Sequence, residues 1–301
     1  MLQSVDPRNA DLVVNINGTL YPRSEAGVSP FDSVVQGGDA VWEGLRLYDG
    51  RIFRLEEHLT RLRGSARALA FEHIPPFDHM VSEIRKTLEA NDMRDGVHVR
   101  LTLTRGEKVT SGMDPRLNQS GPTLIVLAEW KAPVYDKRGL TLVTSSVRRF
   151  PPDCLDPKIH HNNLLPSILA KIEANAAGAD AALMLDRQGF LAEANATHVF
   201  LVVDGVVCTP RTDACPEGIT RATVLELCAA AGIETRVDHF STTDAYRADE
   251  MFCTGTMGEL AAITRVDARP IGDGTPGPVT ARLSDLYGEA VLHTGYDILA
   301  S

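Results

Sequence analysis

Three dipeptides, Asn17-Gly18, Asp49-Gly50 and Asp204-Gly205, each stand between two short apolar, β-rich runs, as in DLVVNINGTLYP and VWEGLRLYDGRIFRL. Asn, Asp and Gly tolerate the positive φ that a tight turn requires, so each dipeptide marks an antiparallel hairpin. Helical patterns lie between the hairpins. EEHLTRLRGSARAL places Leu59, Leu62, Ala66 and Leu69 at three- and four-residue spacing behind two acids that suit the positive end of a helix dipole. Further helices are predicted over 77–90 and 165–177. GITRATVLELCAAAG reads as another, with Thr220 near its start and Gly232 at its end. GVHVRLTLTRG alternates as a strand should from 97 to 104. Hairpins mixed with helices, without regular βαβ units, predict an α+β fold.

A chain of 301 residues exceeds a typical single core and divides naturally in two. The polar, proline-bearing KAPVYDKRG separates two strand-like runs. The expected partition is a smaller α+β domain over 1–130, a linker over 131–139 and a larger C-terminal domain over 140–301. A net charge of -10 lacks the clustered Lys and Arg that nucleic acid or an anionic membrane demands, which leaves a small metabolite as the expected partner. No apolar run approaches roughly 18 residues, and no basic segment precedes an apolar stretch at the N-terminus, so neither a membrane span nor a signal peptide is expected. The five cysteines are widely spaced without a CxxC pair, which fits reduced thiols and a cytoplasmic location.

Three stretches have the makings of an anion site. Gly218, Ile219 and Thr220 form a turn entering a helix, where free N–H groups and a hydroxyl make a phosphate cradle. TGTMGE, residues 254–259, sets a glycine between the hydroxyls of Thr254 and Thr256 behind the apolar EMFC. Arg46, in WEGLR, gives a planar fork of donors just before a hairpin. Singly, each has an ordinary alternative: a capped helix, a tight turn, a surface arginine. Glu193 follows a turn inside an apolar strand pair, where an acid needs a partner unless its face is solvated. His98 and Arg100 alternate toward one strand face, so His98 borders any pocket formed there, while His58 fits a packing or hydrogen-bonding role.

The densest polar stretch is DPKIHHNNLL, residues 156–165, with one lysine, two adjacent histidines and two asparagines. Adjacent residues on a strand face opposite sides, so His160 and His161 do not readily share an ion, and no metal is expected.

In their order along the chain these pieces resemble the fold-type IV pyridoxal 5'-phosphate (PLP) enzymes: branched-chain aminotransferases, D-amino acid aminotransferases and 4-amino-4-deoxychorismate lyases. GDAVWEGLRLYDGRIFRLEEHLTRLRGSARAL is similar to that family's V-F-E-G-x-R block. NNLLPSILAKIEANAAGADAALMLDRQGFLAEANATHVF is similar to its block running from N-Y/L-L to N-x-F, and PEGITRATVLEL and MFCTGTMGELAAITRVD to its two phosphate loops. The resemblance covers nearly the whole chain. It implies a D-amino acid aminotransferase-like architecture, with a barrel-like sheet in the larger domain, the cofactor site between the domains and a homodimer whose partner lends residues near that site. The implied activity is PLP-dependent transamination between an amino acid of branched-chain or D type and a 2-oxo acid. The alternatives are a lyase of the aminodeoxychorismate type, a PLP-independent enzyme and a non-catalytic ligand-binding protein on the same fold. By resemblance, Arg46, Ile219, Thr220 and Thr256 hold the cofactor phosphate, and Glu193 pairs with the pyridine nitrogen of a ring that acts as an electron sink. Arg100 or Arg105 binds the substrate carboxylate, with the backbone around Thr256 and Met257 as a second carboxylate site.

Transaminases of the family use a lysine that forms a Schiff base and shuttles a proton. In the family it lies three or four residues before the Asn that opens the N-Y/L-L run. Counted back from Asn163, those positions hold His160 and Ile159, and Lys158 is five back. Two readings stand. Either a local bulge brings in Lys158, which shares strand parity with position 160, or His160 occupies the lysine's place as an acid or base.

Overall fold

The structure, a computed structural model, describes residues 5–135 and 138–299; Asp136 and Lys137 of the expected linker lie outside them. The chain divides into two compact units. The first takes the chain through Ala132, then Ile159–Asn163, then the residues from Val291 onward; the second takes Pro133–Lys158 and Leu164–Ala290. The change after Ala132 falls within the stretch expected as a linker. Nothing in local composition marks the return of 159–163 to the first unit.

In the first unit β1 (Val13–Ile16) and β2 (Thr19–Pro22) pair antiparallel around Asn17-Gly18, whose φ values are 51° and 81°. The short helix α1 (Ser33–Gly37) precedes β3 (Ala40–Tyr48), which turns at Asp49-Gly50 into β4 (Arg51–Ile52). Helices α2 (Leu55–Ala68) and α3 (Phe77–Ala90) follow, then strands β5 (Val97–Thr104) and β6 (Thr123–Trp130). The sheet has seven strands in the order Tyr296–Asp297, β4, β3, β5, β6, β1, β2. Leu55, Leu59 and Leu62 of α2 and Met80, Ile84 and Leu88 of α3 join one core with Val41, Leu45 and Leu47 of β3 and Val97, Val99, Leu101 and Leu103 of β5. Alternation then places Trp42, Gly44 and Arg46 of β3, with His98, Arg100 and Thr102 of β5, on the opposite sheet face.

The second unit contains β7 (Leu140–Arg148), α4 (Pro152–Leu155), α5 (Leu165–Ala176), β8 (Ala181–Leu185), β9 (Leu191–Ala194), β10 (His198–Val203) and β11 (Val206–Pro210). Next come α6 (Ile219–Ala230), β12 (Thr235–Asp238), α7 (Thr242–Arg247), β13 (Glu250–Gly255), β14 (Glu259–Val266), β15 (Arg269–Pro270) and α8 (Pro278–His293). Its strands run β12-β11-β10-β13-β14-β7-β8-β9, with β15 on β14. β7 lies parallel to both neighbours, and β11 and β12 are also parallel, so the sheet is mixed. It curls until the Leu191 N–H of edge strand β9 donates to Phe240 C=O, two residues beyond the other edge, at 2.7 Å. Leu142, Leu183, Val199, Leu201, Met251 and Ile263 fill one core, while Ala170 and Ala174 of α5 pack on Ala182 and Met184. Helices gathered against largely antiparallel sheets make the protein α+β, as its hairpins and helices predict.

Asp32 fastens the strand ends that carry the first unit's polar face. It is fully buried and accepts from Val34 N–H at 2.9 Å, capping α1, and from the hydroxyls of Thr104 and Thr123 at 2.9 and 2.7 Å. Asp32→Ala strands these buried donors and is expected to lower stability in urea unfolding by about 3 kcal/mol. A loss below about 1 kcal/mol would mean that the clamp contributes little.

Candidate functional site

In the second unit the pleat of β9 turns Glu193 inward, and its carboxylate meets Arg149 at 2.7 Å with both side chains largely buried. Arg149 follows β7 and is held on three sides: its backbone N–H donates to Leu185 C=O, its Nε to Ala214 C=O at 3.3 Å and its Nη1 to the Ser167 hydroxyl at 3.1 Å. Burial pushes the Glu193 carboxyl up to about 7, against the pull of Arg149. Burial, and next the Glu193 charge, also push the Cys215 thiol up.

Arg149 therefore ties Glu193 to the loop that leads into α6. That helix begins at Gly218, which gives no side-chain cap, so the N–H groups of its first turn lack intrahelical partners. Thr220, in the same turn, is buried. Gly218 admits no larger residue, since a Cβ there would lie 2.2 Å from His198 Nε2. His198 pairs across the ladder with Thr254, whose Oγ1 is buried without a hydrogen-bond partner. Thr256 and Met257 lie half-buried in the turn between β13 and β14, and Val134 N–H donates to Met257 C=O at 3.2 Å. Gly258 closes that turn beneath Tyr135, whose ring leaves no room for a Cβ. A buried acid tied through Arg149 to the loop before an uncapped helix start suits a ligand with a hydrogen-bond donor at one end and an anion at the other.

In the first unit Arg46, His98, Arg100 and Lys131 gather at the polar sheet face. Arg46 is buried and donates to Lys131 C=O at 3.1 Å. Burial, then the charges of Lys131, Arg100 and Arg46, push His98 down to about 3, so its ring is neutral at pH 7. Its Nε2 is buried without a hydrogen-bond partner. Arg100 lies 3.9 Å over the Trp42 ring and makes one long polar contact, 3.5 Å to Asn162 Oδ1. Arg105 is differently placed: its guanidinium is taken up by both carboxylate oxygens of Asp39 and by the carbonyls of Leu69 and Ala70.

The stretch 156–165 crosses from the second unit to the first and back. Lys158 occupies a turn with its side chain exposed, and its N–H donates to Asp156 Oδ1 at 3.0 Å, so strand alternation does not govern its direction. Ile159 packs against the first unit's core. The next residues extend along β3: Trp42 N–H donates to His160 C=O at 3.0 Å, Val41 bridges His161, and Asn162 N–H donates to Ala40 C=O at 2.9 Å. The His160 ring stacks on Trp42 at 4.4 Å, with Nδ1 2.5 Å from Trp42 C=O and 3.5 Å from Glu43 Oε1.

Glu43 points to the core side of β3 and has no exposed surface; it accepts from Arg61 at 2.8 and 2.7 Å and meets His58 Nδ1 at 2.7 Å. Burial would raise its carboxyl, but Arg61 and His160 outweigh that and hold it well below the usual range. Burial pushes His58 down despite its contact with Glu43. Sequence reasoning missed both Glu43 and Arg149. Part of the signal for Arg149 was available, since a buried acid at 193 requires a cation, and Arg148-Arg149 stands at the end of β7, two strands from β9 in the sheet. Among the described residues no group of three His, Cys, Asp or Glu side chains could hold a metal ion.

A model of the class IV amino-transferase family matches residues 40–266. Branched-chain-amino-acid aminotransferase-like protein 2 of Arabidopsis thaliana is 52% identical over 293 residues, which cover 97% of this chain and 52% of that protein. The chain thus spans about half the length of its Arabidopsis relatives. The putative branched-chain-amino-acid aminotransferase of Methanocaldococcus jannaschii is 38% identical over 275 residues, covering 91% of this chain and 94% of that one. Among solved structures, a T.th. branched-chain amino acid aminotransferase complexed with N-(5'-phosphopyridoxyl)-L-glutamate superposes with a TM-score of 0.87 at 35% identity, over 94% of each chain.

Because the buried Glu193 carboxyl holds its proton up to about 7 rather than the ordinary 4.5, its stabilising contribution is full below about 4.5 and is lost as pH rises through about 7. In thermal unfolding without added ligand, the wild type should lose stability relative to Glu193→Gln across that window. A difference independent of pH would place the titration of Glu193 elsewhere.

Proposed function

The chain belongs to the class IV aminotransferase family, and on that premise we propose that it binds PLP and transfers an amino group between an amino acid and a 2-oxo acid. The observation that carries this reading is the buried Glu193, held by Arg149 and tied through Ala214 to the loop that opens α6. These residues fit the two polar ends of the cofactor. Glu193 would accept the pyridine N–H, and that second positive partner would return its raised carboxyl to the charged form. The first-turn N–H groups at Ile219 and Thr220, with the Thr256 turn, would hold the phosphate. When bound, the protonated ring supplies an electron sink beside the substrate carbon.

Arg46 and Arg100 supply cationic donors for the anionic groups of the ligands. Of the two arginines expected to bind a substrate carboxylate, Arg100 is the better candidate, because the donors of Arg105 are already engaged. A branched-chain substrate is favoured because several relatives bear that activity in their names. The Met257 backbone would take part in carboxylate binding, and His98, kept neutral, would border Arg100 on the polar face of the first unit without adding charge.

A homodimer is supported by α5, where Leu165, Ile168, Leu169 and Ile172 are all exposed at helical spacing, an apolar stripe of the kind that marks an interface. Among the described residues no helix is long and apolar enough to cross a membrane. The five free cysteines are consistent with a reducing cytoplasm.

With PLP, leucine and a 2-oxo acid acceptor, NMR should detect the 2-oxo acid formed from leucine, and Arg100→Ala should raise KM at least about tenfold, which is roughly 1.4 kcal/mol. No amino transfer with any branched-chain or D-amino acid would overturn the reading. Ile168→Glu is expected to convert a dimer to a monomer in sedimentation velocity; an unchanged mass would remove α5 from the interface.

A further inference from the structure

We propose that this chain holds its cofactor without a covalent bond, with the imidazole of His160 standing where the family's lysine register falls. The proposal rests on the reading that the chain binds PLP, and it concerns the one part of that group the residues do not fit.

A lasting C=N link requires a primary amine, because the nitrogen must give up two hydrogens as the carbonyl oxygen leaves as water. The sequence has six lysines. Lys86, Lys108 and Lys171 donate to the carbonyls of Gly18, Gly112 and Asp180. Lys131 stands beside Arg46 and His98 on the sheet face of the first unit. Lys137 lies outside the described residues. Lys158 is exposed in a turn, in the stretch just before the chain enters the first unit.

The two positions at family spacing are equally decided. Ile159 is committed to the core, where an amine would be buried without a partner. His160 is fixed by five contacts: its N–H donates to the Ser65 hydroxyl at 3.0 Å, its C=O accepts from Trp42 N–H, its ring stacks on Trp42, and its Nδ1 faces Trp42 C=O and Glu43 Oε1. The two-residue shift that would bring Lys158 to this place would break the Trp42 and Asn162 backbone bonds and carry Ile159 from its own packing position to that of His161.

The same contacts assign the tautomer. Trp42 C=O and the Glu43 carboxylate can only accept, so the Nδ1 of His160 carries the hydrogen, and Nε2 is left with its lone pair. Glu43 acts on it as a positioning residue, which is a reason for a carboxylate to be retained on the core side of β3. An imidazole has at most one N–H, so His160 can move a proton but cannot form the C=N link.

The test loads the purified protein with one equivalent of PLP, measures retention by equilibrium dialysis, then reduces with borohydride and determines the protein mass and the modified peptide. Retention without a mass gain in the wild type, with a gain at position 160 in His160→Lys, is the expected result. A mass gain mapped to Lys158, or to any other lysine, in the wild type would overturn the proposal while leaving PLP binding intact, as would retention by His160→Lys without a gain. Lys158→Ala should bind PLP within about twofold of wild type, because an exposed side chain makes no bond to it; a loss beyond tenfold also overturns the proposal. If dialysis finds no retained PLP, the cofactor reading itself fails.

Discussion

The carboxylate of Glu43 has no exposed surface, and an isolated charge in that position would be untenable. Its neighbours are arranged around that constraint. α2 turns His58 and Arg61 toward it from positions three residues apart on one helix face, so the helix is set on the sheet by charge as well as by its leucines. The segment 159–163 runs along β3 at the same place, bringing His160 to the carboxylate. With Glu43 on the core side, the remaining β3 positions, Trp42, Gly44 and Arg46, face away and form the polar surface with His98 and Arg100.

Glu193 solves a similar problem in the second unit with a different outcome. Glu43 has a bidentate arginine and two histidines and stays charged, whereas Glu193 has one arginine contact and is pushed upward by burial. The first is a finished structural site. The second is short of positive partners, and a carboxylate in that state gains most from a ligand that brings a proton-bearing nitrogen to it.

Much of the architecture was legible in the residues. Asn17-Gly18 and Asp49-Gly50 mark real hairpins because the backbone there needs left-handed φ, and the apolar spacing of α2 fixes its buried face. The alternation of β5 correctly put His98 and Arg100 on one face. What stayed hidden was tertiary. Arg100 and Arg105 look alike as arginines of one strand-like run, and only the approach of Asp39, Leu69 and Ala70 shows that Arg105 is committed elsewhere. The direction of Lys158 was not readable either, because parity holds only along a continuous strand and this residue sits in a turn. The docking of His160 on Trp42 joins residues more than a hundred apart, which no local pattern reports.

A structure of the protein with PLP bound is the most direct measurement. The expected density places the ring nitrogen against Glu193 and the phosphate at the start of α6, with a gap between the aldehyde carbon and every lysine among the described residues. Continuous density from that carbon to Lys158, with the Ile159–Asn163 segment shifted along β3, would contradict it.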